Sequence, residues 1–230
     1  IGTYELNTDM DYNALIQGMS NHNATINADT VTVTIPEGYS VRQIVSLLAK
    51  YGINSEDALL SAAERGSFDY SFLDSGKSGI AKLEGYLFPD TYDFLKDDTV
   101  HHYVETFYAH FDKQITDEMY AAMEEQGMTL PEVVTLASFV QEEAGNAQDD
   151  NVAQVFRNRL AEGSPYPKLQ SNTSSYVQSD ADNNYLWNWV APYYGSWDSI
   201  PENIRTAYDT YTCTGLPAGP ISNPGLAAIK

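Results

Sequence analysis

Two adjacent carboxylates, Glu142 and Glu143, are the best candidates in this sequence for acid–base chemistry. They close the stretch TLPEVVTLASFVQEEAGN, in which Pro131 suits the first helical turn and Gly145 suits the position after the last turn. On a helical wheel, Glu143 lies at the edge of the apolar face, whereas Glu142 points to roughly the opposite side. Removing a carboxyl group from water raises its pKa, which makes it a usable proton donor near neutral pH. We therefore expect Glu143 to be partly buried and Glu142 to face water.

An ion pair is the alternative role for Glu143. A second amphipathic helix is predicted over residues 149–162, DDNVAQVFRNRLAE, a short link after the first. Arg157 and Arg159 on this second helix could reach back to the first one. Buried ion pairs perturb carboxylates as catalytic sites do, so the first helix alone leaves both roles open.

The composition excludes several classes of partner. The chain has 230 residues, of which 43% are hydrophobic, and this is typical of a folded globular protein of one large or two modest domains. Its net charge of −20 argues against binding to nucleic acid or to an anionic membrane surface. No run of residues reaches the ~18 apolar positions of a membrane span. The chain begins at Ile1, so we expect it to be a piece of a longer protein, trimmed at both ends.

Neither a metal site nor cysteine chemistry is predicted. The histidines of the helix expected after Thr99 lack the carboxylate-supported i, i+4 pair of a zinc helix; they are His101, His102 and His110. Residues 164–200 are predicted to be a long loop. The acidic residues of this loop lack the spacing of a calcium loop; they are Asp180, Asp182 and Asp198. The tryptophans of that loop could stack on sugars or pack together; they are Trp187, Trp189 and Trp197. Cys213 is the only cysteine of the sequence, so an internal disulfide is impossible. We expect it to be a neutral packing residue.

The elements that must position these side chains predict an α+β fold. Residues 1–30 give a short strand and a helix, and residues 31–35 alternate apolar and polar positions as a half-buried strand does. Ser40 can cap a helix after the turn Pro36-Glu37-Gly38, and another helix is expected to begin at Ser55. The aromatic stretch KLEGYLFPDTYDF contains Pro89, so we expect an extended or edge segment there. The remainder is helix-rich.

Five stretches, taken in order, carry a resemblance to a known family. They are IPEGYSVRQIVSLLAKYGI, KLEGYLFPDTYDF, LASFVQEEAG, VFRNRLAEG followed by KLQSN, and YDTYTCTGLPAGPISNPG. They cover most of residues 31–229. The chain therefore resembles the YceG-like, or MltG, family of endolytic murein transglycosylases.

The resemblance implies a reaction, a location and a domain organisation. The expected reaction cuts peptidoglycan glycan strands at the MurNAc–GlcNAc linkage and leaves 1,6-anhydro-MurNAc ends, without a cofactor. A membrane anchor N-terminal to this piece would hold it outside the cytoplasm of a bacterium, where cell-wall synthases are possible partners. The implied divisions are a strand–helix segment at 1–30, a LysM-like subdomain at 31–75 and a catalytic domain at 76–230.

The resemblance also implies roles for individual residues. The family's ASxxxxE motif runs from Ala137-Ser138 to Glu143, which would act first as acid and then as base. Matching motifs supply candidate sugar contacts, each of which could instead be structural: Glu84, Tyr86, Gln170, Tyr208, Tyr211 and Asn223.

Three positions depart from the family pattern. Asn172 replaces the usual aspartate after Leu-Gln-Ser, Asp209 replaces an asparagine between two tyrosines, and Ala218 replaces a proline. The change at Asn172 puts local hydrogen bonding in question. Two other functions remain open: a glycan-binding module without activity, and a hydrolytic muramidase. The latter needs a second well-placed carboxylate, which the sequence does not offer.

Overall fold

The structure is a computed structural model that describes residues 30–73, 79–96, 98–144, 150–174 and 184–230. Within these ranges it contains two strands, β1 and β2, and a series of helices. In chain order the elements are β1 (Thr30–Thr34), α1 (Val41–Lys50), α2 (Glu56–Arg65), β2 (Thr91–Leu95), α3 (Val100–Gln114), α4 (Asp117–Glu125), α5 (Leu130–Ala144), α6 (Asp150–Leu160), a π-helical turn (Leu186–Val190), α7 (Ala191–Tyr194), α8 (Glu202–Tyr208) and α9 (Leu226–Ile229). Short 3-10 turns lie at Gly79–Lys82 and Trp197–Ser199. The strand–helix segment predicted for residues 1–30 lies outside the described residues, except for Thr30.

The small sheet joins two segments that are far apart in sequence. β1 pairs antiparallel with β2, from Thr30 opposite Leu95 to Thr34 opposite Thr91. Val33 is buried, while Thr34 bonds to Thr91 on the exposed face. The alternation predicted for β1 is thus confirmed. β2 begins within the last residues of the stretch KLEGYLFPDTYDF, for which an extended or edge segment is predicted, whereas the first half of that stretch forms turns.

Helix α1 begins where its cap residue predicts. Ser40 and Gln43 form a capping box, in which the Ser40 side chain accepts from the Gln43 backbone and the Gln43 side chain accepts from the Ser40 backbone. One stripe of the helix is buried in the core: Val41, Ile44, Val45 and Leu48. The sequence therefore fixes both the start and the inward face of this helix.

Among the described residues, two hydrophobic clusters form the core, and α5 contributes to both. Val134 and Ala137 belong to the first cluster, which also holds β1, β2, α1 and the aromatic stripe of α3. Phe139 and Val140 belong to the second cluster, together with residues from α6 to Ile221. The first cluster contains residues from both sides of residue 75, at which a boundary between two domains is predicted. β1 and β2 also pair across this predicted boundary. The α+β, helix-rich fold class expected from the sequence is confirmed.

Helix α5 matches the helix predicted to begin at Pro131, starting one residue earlier. The described part of the chain contains no helix that is both long and apolar enough to cross a bilayer.

Candidate active site

The two carboxylates at the end of α5 have the opposite exposure from that predicted. Glu143 is exposed, whereas Glu142 is half-buried. Burial raises the pKa of Glu142 to about 7, and the nearby hydroxyl of Ser222 offsets part of this rise. The predicted partial burial of Glu143 is therefore wrong. The reason is that α5 is buried on nearly every side, and the turn at Gly38 covers the helix surface that carries Glu142.

Glu143 is held by a hydroxyl group rather than by an arginine. Ser171 Oγ donates to Glu143 Oε1 at 2.6 Å. Within the described ranges, neither Arg157 nor Arg159 forms an ion pair with Glu143. Arg159 instead donates to the carbonyl of Leu169, two residues before Ser171. The alternative of a structural ion pair is not found, and the helix that carries these arginines supports the segment that reaches Glu143.

A bracing segment places Ser171 beside Glu143. The amide of Gln170 donates to the carbonyl of Thr210 at 3.1 Å, and the amide of Ser171 donates to Thr210 Oγ1 at 3.0 Å. Thr210 Oγ1 in turn donates to the carbonyl of Ser171 at 2.6 Å. Gln170 has a φ of 54°, a left-handed conformation that costs a non-glycine residue about 1 kcal/mol or more. This turn exposes the Gln170 side chain and sends Ser171 inward.

Tyr211 and Asn172 form an exposed pair next to this segment. The Tyr211 hydroxyl donates to Asn172 Oδ1 at 2.6 Å. An aspartate at position 172 would accept the same hydrogen bond, so the amide keeps the acceptor that the family pattern supplies. Gln170 and Tyr211 are both exposed, and their contact with sugar remains a prediction.

Glu84 and Asn223 form a buried polar centre instead of a sugar-contacting surface. Glu84 is 1% exposed and accepts from the Val41 amide, the Tyr185 hydroxyl and Asn223 Nδ2. Burial raises the pKa of Glu84 to about 8, although these hydrogen bonds lower it and the nearby Glu142 raises it further. Asn223 also accepts from the Leu87 amide at 2.8 Å. Burial thus argues against direct sugar contact by Glu84 or Asn223, and we correct that prediction to a supporting role.

Tyr86 and Tyr208 are also buried. Tyr86 stacks on Phe72 with ring centroids 5.2 Å apart, and it packs edge-on against Phe111 at 5.3 Å. Tyr208 lies 5.7 Å from the ring of Tyr185 in the second cluster. Both rings therefore stabilise the core, which argues against the direct sugar contact predicted for them.

A polar pocket of about 60 Å³ lies beside Glu142, on the inner side of the site. It is lined by Gly38, Gln43, Glu142, Thr173, Tyr185, Trp189 and Ile221. Two larger cavities, of about 400 and 430 Å³, are both lined by Met128, Leu136 and Arg157, and neither is lined by Glu143. Ser171 and Thr173 were missed as site residues. Their only sequence signal is their proximity to Gln170 in the KLQSN stretch.

The remaining candidates occupy varied places. Trp187, in the π-helical turn, is 42% exposed, and its ring centroid lies 5.4 Å from that of Trp197, so the two rings form an aromatic patch. His110 bonds to Asp90 at 2.7 Å, and His101 stacks on Phe68. No group of three or more potential ligands is arranged to hold a metal ion within the described ranges. Asp180 and Asp182 lie outside those ranges.

Fold and site together define a helix-rich α+β protein whose candidate site is a carboxylate at the end of a central buried helix. The sequence profile described as the YceG-like family matches residues 1–230. The chain therefore belongs to the YceG-like family.

Relatives with curated names share this match. The chain is 31% identical over 220 residues to the endolytic murein transglycosylase of Streptococcus pneumoniae serotype 2, covering 86% of this chain and 37% of the relative. It is 30% identical over 242 residues to the protein of the same name from Bacillus subtilis strain 168, covering 99% of this chain and 61% of the relative. The chain thus spans less than two thirds of the length of these relatives.

A solved structure shares the fold. The 2.6 Å crystal structure of a yceG-like protein from Listeria monocytogenes matches with a TM-score of 0.65 and 23% identity. The match covers 98% of this chain and 73% of that one.

Proposed function

We propose that this chain is the glycan-cleaving part of an endolytic murein transglycosylase. It would cut peptidoglycan strands at the MurNAc–GlcNAc linkage and form 1,6-anhydro-MurNAc ends, with Glu143 as acid and then base. Family membership and the names of the relatives support this proposal. The observation that carries it is the hydrogen bond from Ser171 to Glu143, which joins two family motifs 28 residues apart at one place.

The proposed chemistry needs only one carboxylate. Glu143 would protonate the leaving glycosidic oxygen while positive charge develops on the sugar ring. As a carboxylate it would then take the proton from the sugar's own 6-hydroxyl, whose oxygen attacks the anomeric carbon. Because this nucleophile is already attached to the substrate, positioning replaces the second charged residue of an ordinary glycosidase. The exposure of Glu143 suits a long polymer that must reach the acid from solvent.

A hydrolytic muramidase is a weaker alternative. It would need a second carboxylate facing the substrate, either to activate water or to bond to the sugar. Glu142 is the neighbouring carboxylate, but it faces the small inner pocket between Gly38 and Thr173. This placement favours the transglycosylase.

Three exposed side chains would hold the sugars. Gln170 and Tyr211 offer hydrogen bonds beside Ser171, and Trp187 offers an exposed aromatic face in the π-helical turn. A module that binds glycan without cutting it would use the same surface, and this is the second candidate function.

The location and domain organisation are parts of the same proposal. We infer that a membrane anchor outside this piece holds it on the outer side of the bacterial cell membrane, near cell-wall synthases. A LysM-like subdomain at residues 31–75 is supported by the order β1, α1, α2, with β2 as the antiparallel partner. The shared first cluster would tie this subdomain closely to the catalytic part at 76–230.

Mass spectrometry of digested sacculi tests the function. The wild-type chain should release anhydro-muropeptides, and Glu143→Gln should abolish them while the thermal unfolding temperature stays the same. Glu142→Gln is the matched control, because it makes the same chemical change one residue away, and it should keep most of the activity. Products with reducing ends would favour the hydrolase, and binding without products would favour the module. Full activity of Glu143→Gln would falsify the assignment.

A further inference from the structure

The hydroxyl group of Ser171 is buried although the carboxylate that it contacts is exposed. Ser171 is 1% exposed and has three polar neighbours around its Oγ atom. These are Glu143 Oε1 at 2.6 Å, Thr173 Oγ1 at 2.6 Å and the Thr173 amide at 3.3 Å. Ser171 therefore stands between the predicted acid and the inner pocket that Thr173 lines.

The number of protons fixes the direction of these hydrogen bonds. A serine hydroxyl has one proton to donate and two lone pairs that accept. The Thr173 amide can only donate, so it fills one lone pair of Ser171 Oγ. An ionised Glu143 can only accept, so it takes the single Ser171 proton. The Thr173 hydroxyl must then donate to the second lone pair. Each position on Ser171 Oγ is occupied, and the chain of donors runs from Thr173 to Ser171 to Glu143.

We propose that Ser171, oriented by Thr173, is a positioning residue that reserves Glu143 Oε1 as an acceptor and leaves Oε2 as the oxygen that transfers protons. This inference rests on the proposed function and names how its acid is held. In the acid form the proton sits on Oε2, while Oε1 still accepts from Ser171. The direction of the hydrogen bonds therefore need not reverse during the reaction.

The proton transfers balance on that one oxygen. Oε2 gives its proton to the glycosidic oxygen as the bond from the anomeric carbon to that oxygen breaks. The 6-hydroxyl oxygen then bonds to the anomeric carbon and returns its proton to Oε2. Glu143 ends in the protonation state in which it began, with no added water and no other reactant.

The backbone around Ser171 is held by hydrogen bonds on both sides, which fixes the position of its hydroxyl group. Thr210 binds both the amide and the carbonyl of Ser171, and the left-handed turn at Gln170 fixes the direction of entry. A purely structural network would look similar, so the test needs a readout that stability alone does not move. The split between kcat and KM provides one, because misplacing an acid weakens the chemical step more than substrate binding.

Four variants separate the two roles. Ser171→Ala should lower kcat for release of anhydro-muropeptides by about 10- to 100-fold, with KM changed by less than about twofold. Ser171→Thr keeps the hydroxyl and should restore kcat to within about fivefold of wild type. Thr173→Val removes only the orienting hydroxyl and should lower kcat by about three- to tenfold, whereas Thr173→Ser should not. The fraction of folded protein is measured for each variant by circular dichroism.

The outcomes keep this inference separate from the proposed function. If wild type releases anhydro-muropeptides and Ser171→Ala matches its kcat, or loses activity only in proportion to unfolding, the positioning role is overturned and the function stands. If wild type cuts no glycan, the function fails. Neutron diffraction then decides the inference independently: deuterium on Ser171 Oγ should point to Glu143 Oε1, and deuterium on Thr173 Oγ1 should point to Ser171. The reverse orientation overturns it.

Discussion

Replacing Glu84 with glutamine should flatten the dependence of stability on pH. Burial raises the pKa of this carboxyl from 4.5 to about 8. The folded protein therefore keeps a proton at pH values where the unfolded chain has lost it, and the free energy of unfolding falls as pH rises. The fall begins near pH 4.5 and ends above about pH 8, where the group is ionised in both states.

The magnitude follows from the size of the pKa rise. At about 1.4 kcal/mol per pKa unit, the rise of Glu84 corresponds to about 5 kcal/mol between acid and alkaline conditions. About 3 kcal/mol of this lies between pH 6 and pH 9. Relaxation around an ionised Glu84 reduces these values, so they are upper limits.

Glutamine is a close mimic of the protonated group. Its oxygen can accept from the Val41 amide and Asn223 Nδ2, as Glu84 Oε1 does. Its amide nitrogen can donate to the Tyr185 hydroxyl, which then acts as the acceptor. In Glu84→Gln, as in the protonated wild type, the Tyr185 hydroxyl proton must then turn toward the polar pocket that Tyr185 lines.

Urea unfolding at pH 6, 7.5 and 9 measures the effect. The free energy of unfolding of wild type should fall relative to that of Glu84→Gln by up to about 3 kcal/mol over this range. Glu132→Gln is the matched control, because the amide and hydroxyl of Thr129 lower the pKa of Glu132, which is therefore ionised throughout. Parallel pH curves for wild type and Glu84→Gln would refute the reasoning.

Three further changes have defined outcomes. Between pH 4.5 and pH 7, the free energy of unfolding of wild type should fall by up to about 3 kcal/mol relative to that of Glu142→Gln, because burial raises the pKa of Glu142 to about 7; urea unfolding measures it. Gly85→Ala should destabilise by about 3 kcal/mol or more, because Gly85 has a φ of 92° and an added Cβ would lie 2.5 Å from Pro220; thermal unfolding measures it. Tyr211→Phe should raise KM several-fold with less than about 1 kcal/mol lost in stability, because its bond to Asn172 is exposed.

Each of these three predictions would be refuted by one result. If the free energy of unfolding depends on pH in the same way in Glu142→Gln and in wild type, this carboxyl ionises as readily in the folded chain as in the unfolded one. Wild-type stability of Gly85→Ala would mean that the packing against Pro220 is loose. A Tyr211→Phe protein with unchanged KM would remove Tyr211 from the sugar-binding surface.

The local signals in the sequence predicted the local structure well. The alternation of residues 31–35 gives β1, and the Ser40 cap gives the start of α1, because both depend on neighbours a few positions away. The predicted start of α5 is correct to one residue for the same reason.

The errors arise where distant segments decide the environment. The helical wheel treated α5 as a helix with one apolar face, but residues 134–141 are all buried and both clusters use the helix. Whether Glu142 or Glu143 is covered then depends on the turn at Gly38, about a hundred residues earlier. The placement of Ser171 beside Glu143 depends likewise on its hydrogen bonds with Thr210, and no pattern within either segment predicts that contact.

The position of α5 between the two clusters has a consequence for how the chain loses its structure. Because α5 supplies side chains to both clusters, the melting of one cluster removes part of the packing that holds the helix in the other, so the two clusters are thermodynamically coupled. Thermal denaturation of residues 30–230 should thus follow a single calorimetric transition, and limited proteolysis should leave no stable fragment that lacks this helix. The predicted acid would then be lost and regained in an all-or-none step with the entire fold.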